Sequence, residues 1–553
     1  MTAWNLWLRA IVVLTAAVIL SASERDALDI SRNIRLRHTP YGTILDPWFA
    51  TSASDEIAGY TRCGDSAIWT GHYLAAEAFR YKVTGSADAL NNVKAALSGL
   101  RSLVDVTGTD LLARCLVPAG SVYASGITQE EAHHGIHLSN LNGVPYYWVG
   151  NTSRDQYCGV FFGLGVAFDM VEDAGVRSDI SALGTRLLDF LTGNGWNVRM
   201  PDGSYSTTFL IRPDQQLTFL QIGRRINPDR FSTRYALSRF FDASSVSVPI
   251  ATEVLDDHSS YFKFNLNTIN LYNLIRLESS SFKVFYDQAY NIMRRTTDDH
   301  GNAHFNTIDR ALRGADATRD AATRAYLRDW LLRPRRDPYV DLRGRIPACG
   351  TDRACSPIAI VDRVTTDFLW QRSPFLLYGG GEGKIEGAGI DYILPYWMGR
   401  YYGVISASPQ PPEAIRVSPS EGSGSKASFK IGIWDPNGYA DITVGLVVIN
   451  QTLAADKSCY VYYDRGQHAI WLANDAGNAW YGPVVLGTTA ALQNGQCRID
   501  AGSSSDAETG EMLTLGLQTS FPAGAGLKNI YVYVQDAAGL GTDWKHLGTW
   551  IAP

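Results

Sequence analysis

The sequence predicts a mainly α domain, a ring of helical hairpins, followed by a smaller antiparallel β-sandwich. Three observations carry that expectation. Up to about residue 405 apolar residues recur at helical spacing; in residues 65–83, Ile68, Trp69, Tyr73, Leu74, Ala76 and Phe79 form one stripe. After residue 425 the period becomes two. Between them lies SASPQPPEAIRVSPSEGSGS, residues 406–425, whose four prolines and Gly/Ser-rich end read as a linker.

The chain has 553 residues, of which 45% are hydrophobic and 19% charged. It is long enough to bury a full core and too apolar to be disordered. A formal charge of −6 supplies no basic field for a nucleic-acid backbone, so no nucleic-acid partner is expected. The 14 Trp and 28 Tyr, many beside Gly, suit stacking on sugar rings.

Residues 1–23 read as a signal peptide. Arg9 is the one charge before Glu24, residues 10–20 are apolar, and Ser21 and Ser23 place small residues before a cut after Ser23. The alternative is an uncleaved anchor over residues 3–22, which Asn5 and Arg9 interrupt. Either reading sends the rest of the chain, residue 24 onward, to the periplasm, cell envelope or exterior. With the signal removed, no integral membrane domain is expected. Seven cysteines then have an oxidising address. Cys349 and Cys355 flank a short loop, and Cys459 and Cys497 share the strand-rich tail. Cys63, Cys115 and Cys158 remain, so one thiol is odd and connectivity stays open.

In order, helices are expected over 65–83 and 87–104, divided by Thr84-Gly85, and over 155–172 and 179–191, divided at Gly175. Further runs start near Asp214, Phe231, Asp257, Phe282, Thr318, Thr366 and Gly387. Short connections make neighbours antiparallel, and about eleven such helices close most simply as a ring. In residues 426–553, ASFKIGIW, ITVGLVVI, CYVYY, AIWL, MLTLGLQT and NIYVYVQD alternate as strands of an immunoglobulin-like sandwich. Its Trp434, Trp471, Trp480 and Trp544 are candidates for sugar stacking and equally for core.

Several alternate helices open on an acid: Asp65, Asp155, Asp214 and the Asp256-Asp257 pair before His258. Each is a natural N-cap. In a hairpin ring, however, inner-helix N-termini converge on one mouth, and a repeated acid there surrounds one cavity with carboxylates. Asp65 has Arg62 upstream and Trp69 and His72 one and two turns downstream; Asp155 has Arg154, Gln156 and Tyr157 beside it. Paired carboxylates are what glycosidic cleavage needs, one protonating the leaving oxygen and the other activating water or attacking carbon.

With these residues the chain resembles the six-hairpin (α/α)6 glycosidases, nearest to the unsaturated glucuronyl and rhamnogalacturonyl hydrolases. Those enzymes use two Asp at inner-helix mouths, one inside an Arg-x-Asp-Asp-Gln-like element. Arg154-Asp155-Gln156 matches it with one Asp missing. The resemblance covers residues 57–405 as architecture. It implies an (α/α)6-type toroid and an exported glycoside hydrolase, with Asp65 and Asp155 catalytic and a poly- or oligosaccharide as substrate.

Related epimerases and lyases place a His or Tyr base on such a ring. The stretch QEEAHHGIH, with Glu130, Glu131, His133, His134 and His137, supplies candidates, as does His258. A non-catalytic glycan-binding envelope protein is the third possibility. Residues 310–345 hold ten Arg and five Asp with no Lys or Glu, which suits an acidic sugar or a face of Asp–Arg pairs. The Gly-rich stretch from Gly379 is not a P-loop; it opens a last inner helix carrying Tyr392, Trp397 and Arg400, which face the cavity or the core. No HExxH, CxxC or GxSxG pattern occurs, so neither metal nor cofactor is expected. The DPNG turn at Asp435 and the NDAGN turn at Asn474 read as turns before calcium loops.

Overall fold

The computed structural model describes residues 23–255, 260–365, 367–406, 411–435, 438–509, 511–523, 525–537 and 539–552. Among them are fourteen α-helices, followed by a C-terminal region of antiparallel sheets. The helices are α1 (Glu24–Asn33), α2 (Ser66–Thr84), α3 (Ala87–Asp105), α4 (Ala124–Glu130), α5 (Arg154–Met170), α6 (Ala174–Gly193) and α7 (Pro213–Ile226). They continue as α8 (Pro228–Asp242), α9 (Ser247–Glu253), α10 (Phe262–Arg276), α11 (Lys283–Thr297), α12 (Ala303–Arg313), α13 (Ala317–Leu331) and α14 (Ile390–Tyr401).

Six of them pack in a continuous order. Helix α2 lies on α5, α5 on α7, α7 on α10, α10 on α12, α12 on α14, and α14 returns to α2. Each also packs against a sequence-adjacent or terminal partner: α3, α6, α8, α11, α13 and α1 respectively. The first six are enclosed over most of their length, as in Ser66–Arg80 of α2, whereas α3 buries one stripe from Ala89 to Val104. Local chemistry sets the turns. Gly85 closes α2 in the left-handed region at φ 67°, and Ser86 caps α3 by accepting from the Ala89 N–H.

The α2–α5 pair is the closest. A Cβ added to Gly71 would sit 2.1 Å from the Gly159 carbonyl oxygen, and one added to Gly163 would sit 2.3 Å from that of Gly71. These glycines let the two backbones touch, which brings the helices' N-termini side by side.

Several elements depart from expectation. Helix α12 was not anticipated, and no helix follows near Thr366: that residue lies outside the described set, and residues 367–377 form turns. The Gly-rich stretch is the strand Tyr378–Glu386 rather than a loop, paired with Arg336–Asp341. The stretch expected to be linker contains the strands Glu413–Ser418 and Glu421–Ser423. Residues 1–22, which hold most of the predicted signal, lie outside the described residues. Ser23 itself caps α1, its hydroxyl accepting from the Asp26 N–H at 3.2 Å while Asp26 accepts from Ser23 N–H at 3.0 Å.

The C-terminal region has a five-stranded and a seven-stranded sheet. In the first, Lys426–Trp434 lies between Glu413–Ser418 and Met512–Ser520; in the second, Ile442–Asn450 lies between Gly526–Asp536 and Cys459–Asp464. Phe429, Ile431 and Ile433 from one sheet share a core with Val447, Ile449, Val461 and Val532 from the other. Trp434 does not stand free for stacking, because the Arg32 guanidinium of α1 lies 5.4 Å from its ring centre. Arg25 pairs with Glu413 at 3.0 Å across the same boundary.

Disulfides join Cys63–Cys115, Cys349–Cys355 and Cys459–Cys497, leaving Cys158 as a buried thiol. Three such bonds fit an extracellular or otherwise oxidising compartment. Among the described residues no helix is long and apolar enough to cross a membrane.

Candidate active site

The residues leading into α2 are held from several directions. Cys63 is tied to Cys115, and Arg62 sits in the left-handed region at φ 61° with its guanidinium 2.9 Å from Asp46. The Gly64 N–H donates to Glu131 at 2.7 Å. Asp65 follows at the N-cap position, yet its side chain caps nothing. Its Oδ1 accepts from Gln156 Nε2 at 3.1 Å and its Oδ2 from Gln371 Nε2 at 3.4 Å. Arg114 Nη1 lies 3.9 Å away. The Asp65 side chain remains 39% exposed, so it faces open space with protein around its base. Burial raises its pKa above the ordinary carboxylate value, against the pull of Arg114 and of the Gln156 hydrogen bond.

Asp155 stands in the first turn of α5, behind an N-cap Ser153 whose hydroxyl makes no cap bond. Among the described residues no other side chain hydrogen-bonds or ion-pairs with its carboxylate. Burial, and then the negative charge of Asp65, push it up to about 6, against the pull of Arg114 and Arg154. Gln156 couples the two helices: fully buried, it donates to Asp65 while its Oε1 accepts from the Ile68 N–H at 2.9 Å.

Arg114 was not singled out by sequence. It donates to the carbonyls of Gly64 and Asn151 at 2.8 and 2.9 Å, placing its charge beside both acids. The available signal was its neighbour Cys115, whose disulfide ties this segment to the approach of α2. Gln371 and Asp367 arrive on the loop before the strand Tyr378–Glu386; Asp367 reaches Arg62 at 3.6 Å and also pairs with Arg372. Beside them a cavity is lined by Asp46, Arg62, Arg333, Arg335, Asp367 and Asp391.

The histidine stretch folds onto the same site. His134 Nδ1 lies 2.7 Å from Glu131, the residue that holds Gly64. Burial and the Arg114 charge lower its pKa, keeping the ring neutral. Glu131, His133 and His134 bring one donor atom each within 4.8 Å of one another, but Glu131 is already engaged by the Gly64 N–H and by His134. His137 is stacked on Trp148 at 4.1 Å.

Four candidate site residues, His72, Tyr157, Trp397 and Trp69, are in the core instead. His72 is fully buried, its Nδ1 on the Ile68 carbonyl at 2.9 Å and its Nε2 3.1 Å from Asn265 Nδ2; burial lowers its pKa to about 4. Tyr157 and Trp397 are likewise enclosed. Trp69 is 6% exposed and packs edge-on against Phe368 and His72. His258 lies outside the described residues. Much of the Arg-rich stretch is paired internally: Arg310 with Asp320, Arg319 with Asp309, Arg328 with Asp329 and Arg343 with Asp341.

No protein-family model matches the chain, and no curated protein matches it.

Proposed function

We propose that the chain is an exported glycoside hydrolase whose helical domain is a six-hairpin (α/α)6 toroid and whose sheet domain is an immunoglobulin-like sandwich. The order of helix packing, returning from α14 to α2 with a partner helix outside each member, supports the toroid. The observation that carries the chemistry is the pair of carboxylates at neighbouring helix mouths, neither spent on capping and both with raised pKa values.

In this reading Asp155, at about 6, keeps a proton to give to the leaving glycosidic oxygen. Asp65 stays ionised, oriented by Gln156 and Gln371 and stabilised by Arg114, and activates water or attacks the anomeric carbon. Arg62 and the cavity beside it are the candidate contacts for the sugar, with the cavity's three arginines matched there by Asp46, Asp367 and Asp391. The second reading, a lyase or epimerase, is favoured by one feature: a neutral His134 held at the same site.

The test is a product screen of neutral and acidic polysaccharides with the protein, Asp155→Asn and His134→Ala. Release of reducing sugar without near-ultraviolet absorbance, lost in Asp155→Asn and kept in His134→Ala, is the expected result. An unsaturated, absorbing product lost in His134→Ala overturns the hydrolase in favour of the lyase.

A further inference from the structure

We propose that the sheet domain binds one calcium ion through Asp435, Asp441 and Asp536. The three residues come from separate places in the fold. Asp435 directly follows the strand Lys426–Trp434, Asp441 precedes the strand Ile442–Asn450, and Asp536 ends the strand Gly526–Asp536, where it pairs in register with Ile442. One carboxylate oxygen from each lies within 4.8 Å of the others.

The burial of this cluster is what sets it apart from an acidic surface patch. Asp435 is 0% and Asp536 2% exposed. Asp536 uses one oxygen, Oδ1, to accept from the Leu540 N–H at 2.8 Å. Its Oδ2 is buried and, among the described residues, receives no hydrogen bond. Nor does any ion pair reach Asp441 or Asp536 among those residues. Arg465, the base that reaches this turn, spends its donors on the carbonyls of Ala440 and Ile442, at 2.8 and 2.6 Å, and on Glu508 at 3.4 Å. A buried carboxylate oxygen that receives no hydrogen bond, with carboxylate oxygens of two further acids nearby, is strongly unfavourable, and a cation between them removes the conflict.

The donor set selects the ion. It is all oxygen, with no His or Cys, which disfavours zinc and copper. Three carboxylates on a turn and two strand ends, completed by carbonyl oxygens or water, suit the large and flexible shell of calcium better than the strict octahedron of magnesium. The site stands apart from the Asp65–Asp155 mouth, so its fate is independent of the hydrolase reading.

The experiment is a calcium titration of the chelator-stripped full chain by calorimetry and by melting of the sheet domain, beside Asp536→Asn and the partly exposed Asp441→Asn. Terbium luminescence sensitised by the adjacent Trp434 and Tyr439 reports occupancy in the same samples. One ion per chain and a melting shift of roughly 5 °C or more at saturating calcium are expected. Both variants should lose the shift. In chelator, Asp536→Asn should melt no lower than the parent, because amidation relieves the repulsion; in calcium the order should reverse. Absence of a calcium-dependent shift in the parent, or calcium binding unchanged in both variants, overturns the site.

Discussion

The mouths of α5 and α7 begin with nearly the same residues, and burial raises the pKa of the acid at both, yet the two acids are paired differently. At α7, Asp214 follows Arg212 with Pro213 between them, and the arginine folds back onto it, with Nε on Oδ1 at 2.9 Å and Nη2 on Oδ2 at 2.6 Å. Arg212 also engages Glu253 and, at 3.1 Å, Asn267; Arg212, Asp214 and Asn267 are buried and Glu253 partly so. At α5, Arg154 directly precedes Asp155 and forms no ion pair with it; the charge facing that acid is Arg114, itself committed to two backbone carbonyls. An acid opening a helix therefore tells little about function until its nearest arginine is placed. The α7 acid is locked by a bidentate arginine, whereas the α2 and α5 acids have none.

The sharpest way to break this comparison is to amidate both mouths. Asp155→Asn or Asp65→Asn should lower kcat by about 10³-fold or more, the usual worth of a positioned acid or base together with the stabilisation it provides. The melting temperature should stay near the parent's. Asp214→Asn should do the reverse, because removing one partner of a buried pair costs about 3–5 kcal/mol; denaturation followed by activity of the surviving native fraction checks it. Equal losses of activity and stability in all three variants would erase the distinction.

A second break acts on the helix contact that sets the acids side by side. Gly159→Ala places a Cβ 2.6 Å from both the Ile68 carbonyl oxygen and its Cγ1, with backbone as well as side chain in the way. The expected cost is about 1–3 kcal/mol of overpacking, with a fall in kcat that exceeds the fall in stability because Gln156 loses its grip on Asp65. Gly175→Ala, in the first turn of α6 where the nearest atom is 3.2 Å away and belongs to a side chain, is the control.

Acidity sharpens the comparison further. Asp155 moves from 3.8 to about 6 on folding. Between about pH 4 and 6 the folded chain therefore binds the proton that the unfolded chain has lost, so this group's contribution to stability is present at low pH and disappears as pH rises through 6. Asp155→Asn removes that fall, so the variant should gain on the parent between pH 4 and pH 7 in denaturant midpoints. The same protonation predicts that kcat/KM declines above about pH 6. Arg114→Gln should move that limb upward, since the guanidinium favours the ionised acid.

How much of this was legible follows from where the polar groups sit. Asp65 and Asp155 stood out because each opens a long apolar run. Helix α12 did not, because its apolar stripe is short, Phe305, Ile308 and Leu312, and the buried His304, Asn306, Thr307 and Asp309 read as polar. The same physics is visible in α10, where Asn265, Asn267, Asn270 and Asn273 are enclosed. His72 and Trp397 looked available because sequence spacing gives a helix face but not which faces a neighbour covers. Arg114 and Gln371 come from loops whose position depends on the disulfide and on long-range packing. The Gly159-x-x-x-Gly163 spacing in α5, where the backbone of α2 comes into contact, stands in the sequence but was not among the signals read there.

The smallest expected effect tests how far the site depends on that loop. Gln371 holds Asp65 at 3.4 Å, at the long edge of hydrogen bonding, whereas Gln156 holds it at 3.1 Å and is itself fixed to the Ile68 N–H. A part-buried, long hydrogen bond of this kind is worth about 1 kcal/mol, roughly fivefold in rate. Gln371→Ala should therefore lower kcat/KM by no more than about fivefold, while Gln156→Ala, which leaves a buried N–H unsatisfied as well, should cost more in both rate and stability. Steady-state kinetics of the two variants decide the order. A Gln371→Ala defect exceeding that of Gln156→Ala would mean that the loop carrying Gln371 and Asp367 closes over bound substrate, and that the open mouth described above is only one state of the working site.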